Sequence, residues 1–263
     1  MDQSKLVSCI KELKMPSVAE CFADYSQRAG KERWSFDRYL YELLNIERET
    51  RKEKRIGKLL RESKLPLSKT LDTLDSTRFP RTINQQIEAL IEGSFLSRAE
   101  NVLVFGNPGA GKSHILCAIG HELVLQGHRV LFKNCEMLVQ ELLSAKRDLL
   151  LPQLLKKLGR YEALIIDDIG YVQQNREEME VLFTLLADRY ERASTMITSN
   201  LPFSKWEKIF KDPMTTAAAI DRLVHHSMIL ELNLPSYRLE EAKKEKPVNA
   251  GSDKKRGGET KKN

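Results

Sequence analysis

The stretch Val102-Leu103-Val104-Phe105-Gly106-Asn107-Pro108-Gly109-Ala110-Gly111-Lys112-Ser113 decides how the rest of the chain is read. Its first four residues are apolar without alternation, as in a strand buried on both faces. The eight that follow satisfy the phosphate-loop pattern GxxxxGK(S/T). Glycine there lets backbone N–H groups turn toward a phosphate at close range. The Lys112 ammonium is long enough to reach β- and γ-phosphates, and the Ser113 hydroxyl suits Mg2+. The helix expected from Lys112 aims its positive dipole end at the same anion. Gly106, Asn107, Pro108, Gly109, Ala110, Gly111, Lys112 and Ser113 are therefore the expected nucleotide-binding residues.

Strands and helices alternate downstream. Helix is expected over 112–126, with Gly127 breaking it before a strand at 129–133. Helices follow at 135–146 and 152–158, then a buried strand at 163–166, a helix at 177–192 and a strand at 195–198. Ser204 is placed to cap a helix over 205–210, followed by a helix at 216–223 and a strand at 228–232. Such alternation with unbroken apolar strands predicts a parallel sheet covered on both faces. Residues 1–64 read as helical, with Trp34-Ser35-Phe36 as a helix entry. Pro66, Pro80 and the Ser/Thr/Asp cluster between them mark a boundary. The expected organisation is a helical domain over 1–66, a linker with a lead-in helix over 67–99, and an α/β nucleotide-binding domain over 100–242. A basic, Gly- and Lys-rich tail, expected to be disordered, covers 243–263.

Two further constellations carry chemistry. Leu164-Ile165-Ile166-Asp167-Asp168 is an apolar strand ending in carboxylates, the Walker B pattern, at the strand end where α/β sheets bind ligands. Asp167 is the candidate support for Mg2+, and Asp168 the candidate base that prepares water. In Thr195-Met196-Ile197-Thr198-Ser199-Asn200, the Asn200 amide would face the γ-phosphate if this strand lies beside Val102–Phe105. A strand-end turn is the alternative reading of each.

The net charge of +6 is unevenly spread: +4 over 1–64, −3 over 65–242 and +5 over 243–263. Basic ends point to an acidic polymer as partner, with solvated helix and tail charge as the alternative. Arg48, Arg51, Lys52, Arg55 and Lys58 fall at i, i+3, i+4, i+7 and i+10, one stripe of a helix. Such a stripe can track the phosphates of double-stranded DNA with little regard to sequence. No apolar run approaches the roughly 20 residues of a membrane span, so no membrane partner is expected. Cys9, Cys21, Cys117 and Cys135 form no paired motif and read as buried free thiols of a cytoplasmic protein. The five histidines form no ligand pattern. Adjacent His225 and His226 point to different sides of a strand or helix and read as structural.

In this order, several segments carry a family resemblance: the phosphate loop with His114 after it, Leu164–Asp168, Ser199-Asn200-Leu201-Pro202-Phe203, Ala219-Ile220-Asp221-Arg222-Leu223 and Ser236-Tyr237-Arg238-Leu239. The region from Asn101 to Arg238 resembles AAA+ ATPases of the DnaA/DnaC initiator clade, and more closely the IstB-type helper ATPases of insertion sequences. Tyr39–Arg55, with Glu47-Arg48-Glu49, also resembles the latter. Ser113 stands where Thr is commoner and Ala110 where Thr occurs; both leave the phosphate chemistry intact. The resemblance implies a P-loop AAA+ core with a parallel five-stranded sheet flanked by helices, preceded by a small all-helical domain. It implies ATP and Mg2+ as cofactors and hydrolysis at the interfaces of a homo-oligomer. Asn200 matches the sensor-1 position, Arg222 the arginine finger that acts on a neighbouring subunit's ATP, and Arg238 a sensor-2-like arginine. Taken alone, Arg222 also fits a surface ion pair. The implied role is assistance to the transposase of the same element on duplex DNA. A DnaC-type replicative helicase loader is the alternative.

Overall fold

The computed structural model describes residues 3–170, 176–202, 205–206 and 220–237. Three N-terminal helices come first: α1 (Gln3–Glu12), α2 (Pro16–Glu32) and α3 (Phe36–Ser63). After a 3-10 turn at Ser76–Arg78 come α4 (Arg81–Ile91) and α5 (Ser94–Ser97). The α/β part runs β1 (Asn101–Gly106), α6 (Lys112–Leu125), β2 (Val130–Asn134), α7 (Cys135–Arg147), α8 (Leu151–Leu158), β3 (Ala163–Ile169), α9 (Arg176–Arg189), β4 (Ser194–Ser199) and β5 (Ser227–Leu232). A helical turn at 220–224 precedes β5. The expected helix at 205–210 and its Ser204 cap, most of the helix at 216–223, and the tail lie outside the described residues, apart from residues 205–206 and 220–223.

The five strands form one sheet, ordered β2-β3-β4-β1-β5, and every pair is parallel. The side-chain period of two divides each strand between two apolar layers. Val102, Val104, Ile165, Met196 and Leu230 pack under α4, α6 and the end of α3. Leu103, Phe105, Leu164, Ile166 and Ile197 pack with Leu138, Leu142 and Leu185 on the other face. Val102, Leu103 and Val104 are fully buried, which is why β1 shows no polar alternation. Helix α6 buries Ile115 through Ile119 completely. Lying between the sheet on one side and α3 and α4 on the other, it needs apolar residues around most of its circumference. Each such Leu or Ile contributes about 1.5–3 kcal/mol by leaving water.

Helix α3 joins the two parts of the chain. Ser35 caps it, its side chain accepting from Arg38 N at 3.2 Å, so the expected helix entry is where the sequence places it. Leu43 packs with Ile10 and Val18 in a small core among α1–α3. Sixteen residues further along, Leu59 packs into the core beneath the sheet. Arg55 Nη2 donates to Gly127 O at 3.2 Å, at the end of α6.

Glu47 on α3 is 4% exposed. Its Oε2 accepts from Ser17 N at 2.9 Å and Val18 N at 3.3 Å, and its Oε1 from Arg51 Nε at 2.8 Å. It thereby caps α2 from another helix, where Met15 provides no side-chain bond of its own. Burial acts to raise the carboxyl pKa, but the bonds from Arg51, Val18 and Ser17 outweigh it and hold the value below the ordinary 4.5.

The four cysteines are free. Cys117 and Cys135 are buried, and burial pushes the Cys117 thiol up to about 12, so it is inert as a nucleophile. Cys9 is exposed and Cys21 half-buried, which corrects the expectation that all four would be buried. Cys9 is exposed on the short α1, whose Leu6 and Ile10 take the places in the small core shared with α2 and α3. None of the helices among the described residues is long and apolar enough to cross a membrane.

Candidate nucleotide site

Because β4 lies between β1 and β3, the elements that carry phosphate-loop, amide and carboxylate residues end side by side. Phe105 is in register with Ser199, and Ile166 with Ile197. The condition placed on Asn200 in the sequence is therefore met. Lys112, 5% exposed, donates through Nζ to Gly106 O at 2.9 Å, to Asn107 O at 3.0 Å and to Asn200 Oδ1. Three acceptors satisfy its buried ammonium and hold it against the loop. Asn200 Nδ2 lies 3.5 Å from Asp168 Oδ1, so the amide bridges Lys112 and the second carboxylate.

Two backbone positions shape the loop. Gly111, at φ +100°, opens α6 in a conformation other residues rarely adopt. A Cβ on Gly106 would meet Leu232 O of β5 at 2.6 Å, so only glycine lets the two strands close here.

Asp167 and Asp168 do not simply end a strand. The β3–β4 register shifts between Ile166 and Ile169, and Asp168 takes a φ of +64°. This bulge lets Ile169 pair with Ser199 beyond it, so β3 runs past the expected end at 166. A non-glycine residue at positive φ costs about 1 kcal/mol, and such strain concentrates at functional sites. Thr198 spans the bulge: its hydroxyl donates to Asp167 Oδ1 at 2.6 Å and accepts from Asp168 N at 2.8 Å. Thr198 is fully buried and Asp167 is 8% exposed. The role of Thr198 was not visible in the sequence, where it is one of four Ser and Thr residues in the strand Ser194–Ser199.

A cavity of about 300 Å³ opens over the loop, lined by Lys112, Ser113, Asp168 and Asn200 on one side. The other wall comes from Lys69, Thr73, Arg78 and Phe79, in the segment read from sequence as linker. His114 pins this segment: its Nε2 lies 3.0 Å from Thr73 Oγ1 and 3.1 Å from Thr70 O. Burial pushes the His114 pKa down, which favours the neutral ring, although the Thr70 bond opposes this. Tyr237 closes the end, its N donating to Gly109 O at 3.0 Å and its ring lying 4.8 Å from the Arg78 guanidinium. Nothing in the order of residues 67–80 marks this wall beyond a cluster of turn formers.

Ser113 lines the cavity with a hydroxyl, and Asp167, which does not line it, is a buried carboxylate held by Thr198. An oxygen donor set with few carboxylates fits Mg2+, which keeps most of its waters.

The remaining candidates lie elsewhere. Arg222, on the 220–224 turn, does not line the cavity. Its guanidinium lies 4.9 Å from the Phe183 ring on α9, and its buried Nη1 has no hydrogen-bond partner. Arg238 lies outside the described residues. Arg48, Arg51, Lys52, Arg55 and Lys58 are exposed on α3. Several have local partners: Arg48 pairs with Glu49, Arg51 with Glu47, and Lys58 with Glu62 at 3.8 Å.

Comparison with known proteins finds ATP-binding relatives. An insertion sequence ATP-binding protein of Sinorhizobium fredii is 40% identical over 239 residues, covering 90% of this chain and 80% of the relative. The ATP-binding protein of insertion sequence IS21 from Pseudomonas aeruginosa is 36% identical over 235 residues, 89% of each chain. Among solved structures, the DnaC helicase loader superposes with a TM-score of 0.55 at 18% identity, covering 64% of this chain and 98% of that one; this likeness is one of fold. The family model for IstB-like ATP binding proteins matches residues 8–245, and the chain belongs to that family, with an AAA+ fold of the DnaA/DnaC kind.

Proposed function

We propose that this chain is an ATP-hydrolysing helper of DNA transposition that assembles on duplex DNA and assists the transposase of its own element at the target site. The observation that carries the reading is the chain of contacts Lys112–Asn200–Asp168 at the mouth of the phosphate loop, backed by Thr198 and Asp167. Lys112 and the loop residues Gly106–Ser113 hold the phosphates. Ser113 and Asp167 would hold Mg2+, which would offset negative charge on the phosphates. Asp168 accepts a proton from the attacking water, and Asn200 orients that water while restraining Lys112. Arg222 is assigned to the ATP of a neighbouring subunit, where a guanidinium offsets charge developing on the transferred phosphoryl group. Its absence from its own cavity supports this assignment. Arg238 is proposed as a further nucleotide contact.

Residues 1–66 act as the partner- and DNA-binding domain, and 100–242 as the ATPase domain. Arg48, Lys52 and Lys58 are the stripe members best placed for DNA: the ion-pair partners Glu49 and Glu62 are exposed side chains of the same helix, whereas Arg51 and Arg55 are tied to the backbone at Lys14 O and Gly127 O.

ATP turnover and particle mass, measured with and without duplex DNA, test the reading. DNA should raise turnover, and ATP with DNA should yield a larger particle. Turnover indifferent to DNA and to protein concentration would overturn it.

A further inference from the structure

The expectation that His225 and His226 diverge does not hold. They lie in the turn between the 220–224 helix and β5, with ring centroids 4.1 Å apart and planes inclined at 58°. A tight turn removes the alternation that would send neighbouring side chains to opposite sides. Glu191, in the turn after α9, reaches the same point. One ligand atom from each of Glu191, His225 and His226 lies within 4.8 Å of the others. The Tyr190 hydroxyl is 3.0 Å from His225 Nδ1 and orients that ring.

We propose that Glu191, His225 and His226 form a binding site for a divalent transition ion, with Zn2+ the natural occupant. Two imidazoles and a carboxylate are the donor set of three-ligand zinc sites, with a fourth position left to water. Imidazole donors select against Mg2+, which prefers oxygen, so this site and the Ser113–Asp167 site take different ions. Tetrahedral zinc at ordinary bond lengths sets its ligand atoms about 3.3 Å apart. Small rotations of three exposed side chains close the remaining gap. None of the three residues lines the nucleotide cavity. An ion here would tie the end of α9 to the turn after 220–224, at the junction where Arg222 stacks on Phe183. The site thus gives this junction a metal-dependent stiffness independent of ATP.

The test titrates ZnCl2 into the full-length protein by calorimetry, with excess MgCl2 to occupy the oxygen site. Wild type, Glu191→Gln, His226→Ala and, as a thiol control, Cys9→Ser are compared. Wild type and Cys9→Ser should bind one equivalent. Glu191→Gln and His226→Ala should each lose about ten-fold or more in affinity. Excess zinc should raise the melting temperature of wild type and not that of His226→Ala. Either ligand variant binding zinc as wild type does, or wild type binding none, would overturn the assignment. Neither result bears on the ATPase reading, which none of these residues enters.

Discussion

Thr198→Val tests whether the Asp167–Asp168 bulge is held by one hydroxyl. Valine keeps the shape and the β-branch that suits a central strand, and removes only the oxygen. Two bonds go with it: the 2.6 Å donation to Asp167 Oδ1 and the 2.8 Å acceptance from Asp168 N. The first is a bond to a charged acceptor, worth about 1.5–3 kcal/mol, and the second strands a backbone donor at about 1–3 kcal/mol. Since Thr198 is fully buried, water cannot replace either partner without opening the sheet. The expected loss is about 3–5 kcal/mol of folding stability, a large share of the roughly 5–15 kcal/mol of a typical domain. Thr198→Ser keeps the oxygen and loses one methyl, for about 1 kcal/mol. Urea denaturation of the three proteins reads the difference. Mg-ATP affinity should fall about ten-fold in the valine variant, as for loss of a group that orients a metal ligand. A valine variant within about 1 kcal/mol of the serine variant would refute the reasoning.

Lys112→Ala should abolish ATP binding and, with it, ATP-dependent DNA binding; fluorescent-nucleotide titration and filter binding check both. Arg222→Ala should bind ATP normally and lose turnover by about 10³-fold, the lower range for an arginine finger. Mixing it with Lys112→Ala should restore part of the activity if the arginine acts on a neighbour, and steady-state ATPase assays of graded mixtures show whether it does. Glu47 predicts an acid-sensitive N-terminal region. Because its folded value lies below 4.5, its contribution is complete above that pH and is lost as pH falls through the folded value. Glu47→Gln should cost about 2 kcal/mol near neutrality and remove that acid step, both measurable by circular dichroism.

The β1 strand, its loop and the parallel sheet were legible because their signals are local: unbroken apolar runs, a fixed glycine spacing, and carboxylates at a strand end. Asn200 was legible once strand adjacency was assumed, and the β4–β1 pairing supplies that adjacency. Residues whose role depends on distant partners were not legible. Thr198 matters because a bulge two strand positions long forms opposite it. Glu47 caps a helix that begins 31 residues earlier in the chain. Lys69–Phe79 reads as a linker, since turn formers look the same whether they cross open surface or fold over a ligand cavity. His225 and His226 lie side by side, not apart, because the chain makes a turn where a regular element was expected.

Helix α3 has a mechanical consequence. Twenty-eight residues of unbroken helix make a rod about 42 Å long at 1.5 Å per residue. Its C-terminal third is fixed in the sheet core by Leu59 and bolted by Arg55 to Gly127, at the far end of the helix that opens on the phosphate loop. Its N-terminal half carries α1 and α2. A reorientation of α6 by about 10° would swing the free end of such a rod, roughly 28 Å beyond Arg55, by about 5 Å. Any change in the tilt of α6 is thus enlarged at the N-terminal helices by the length of rod that extends beyond Arg55.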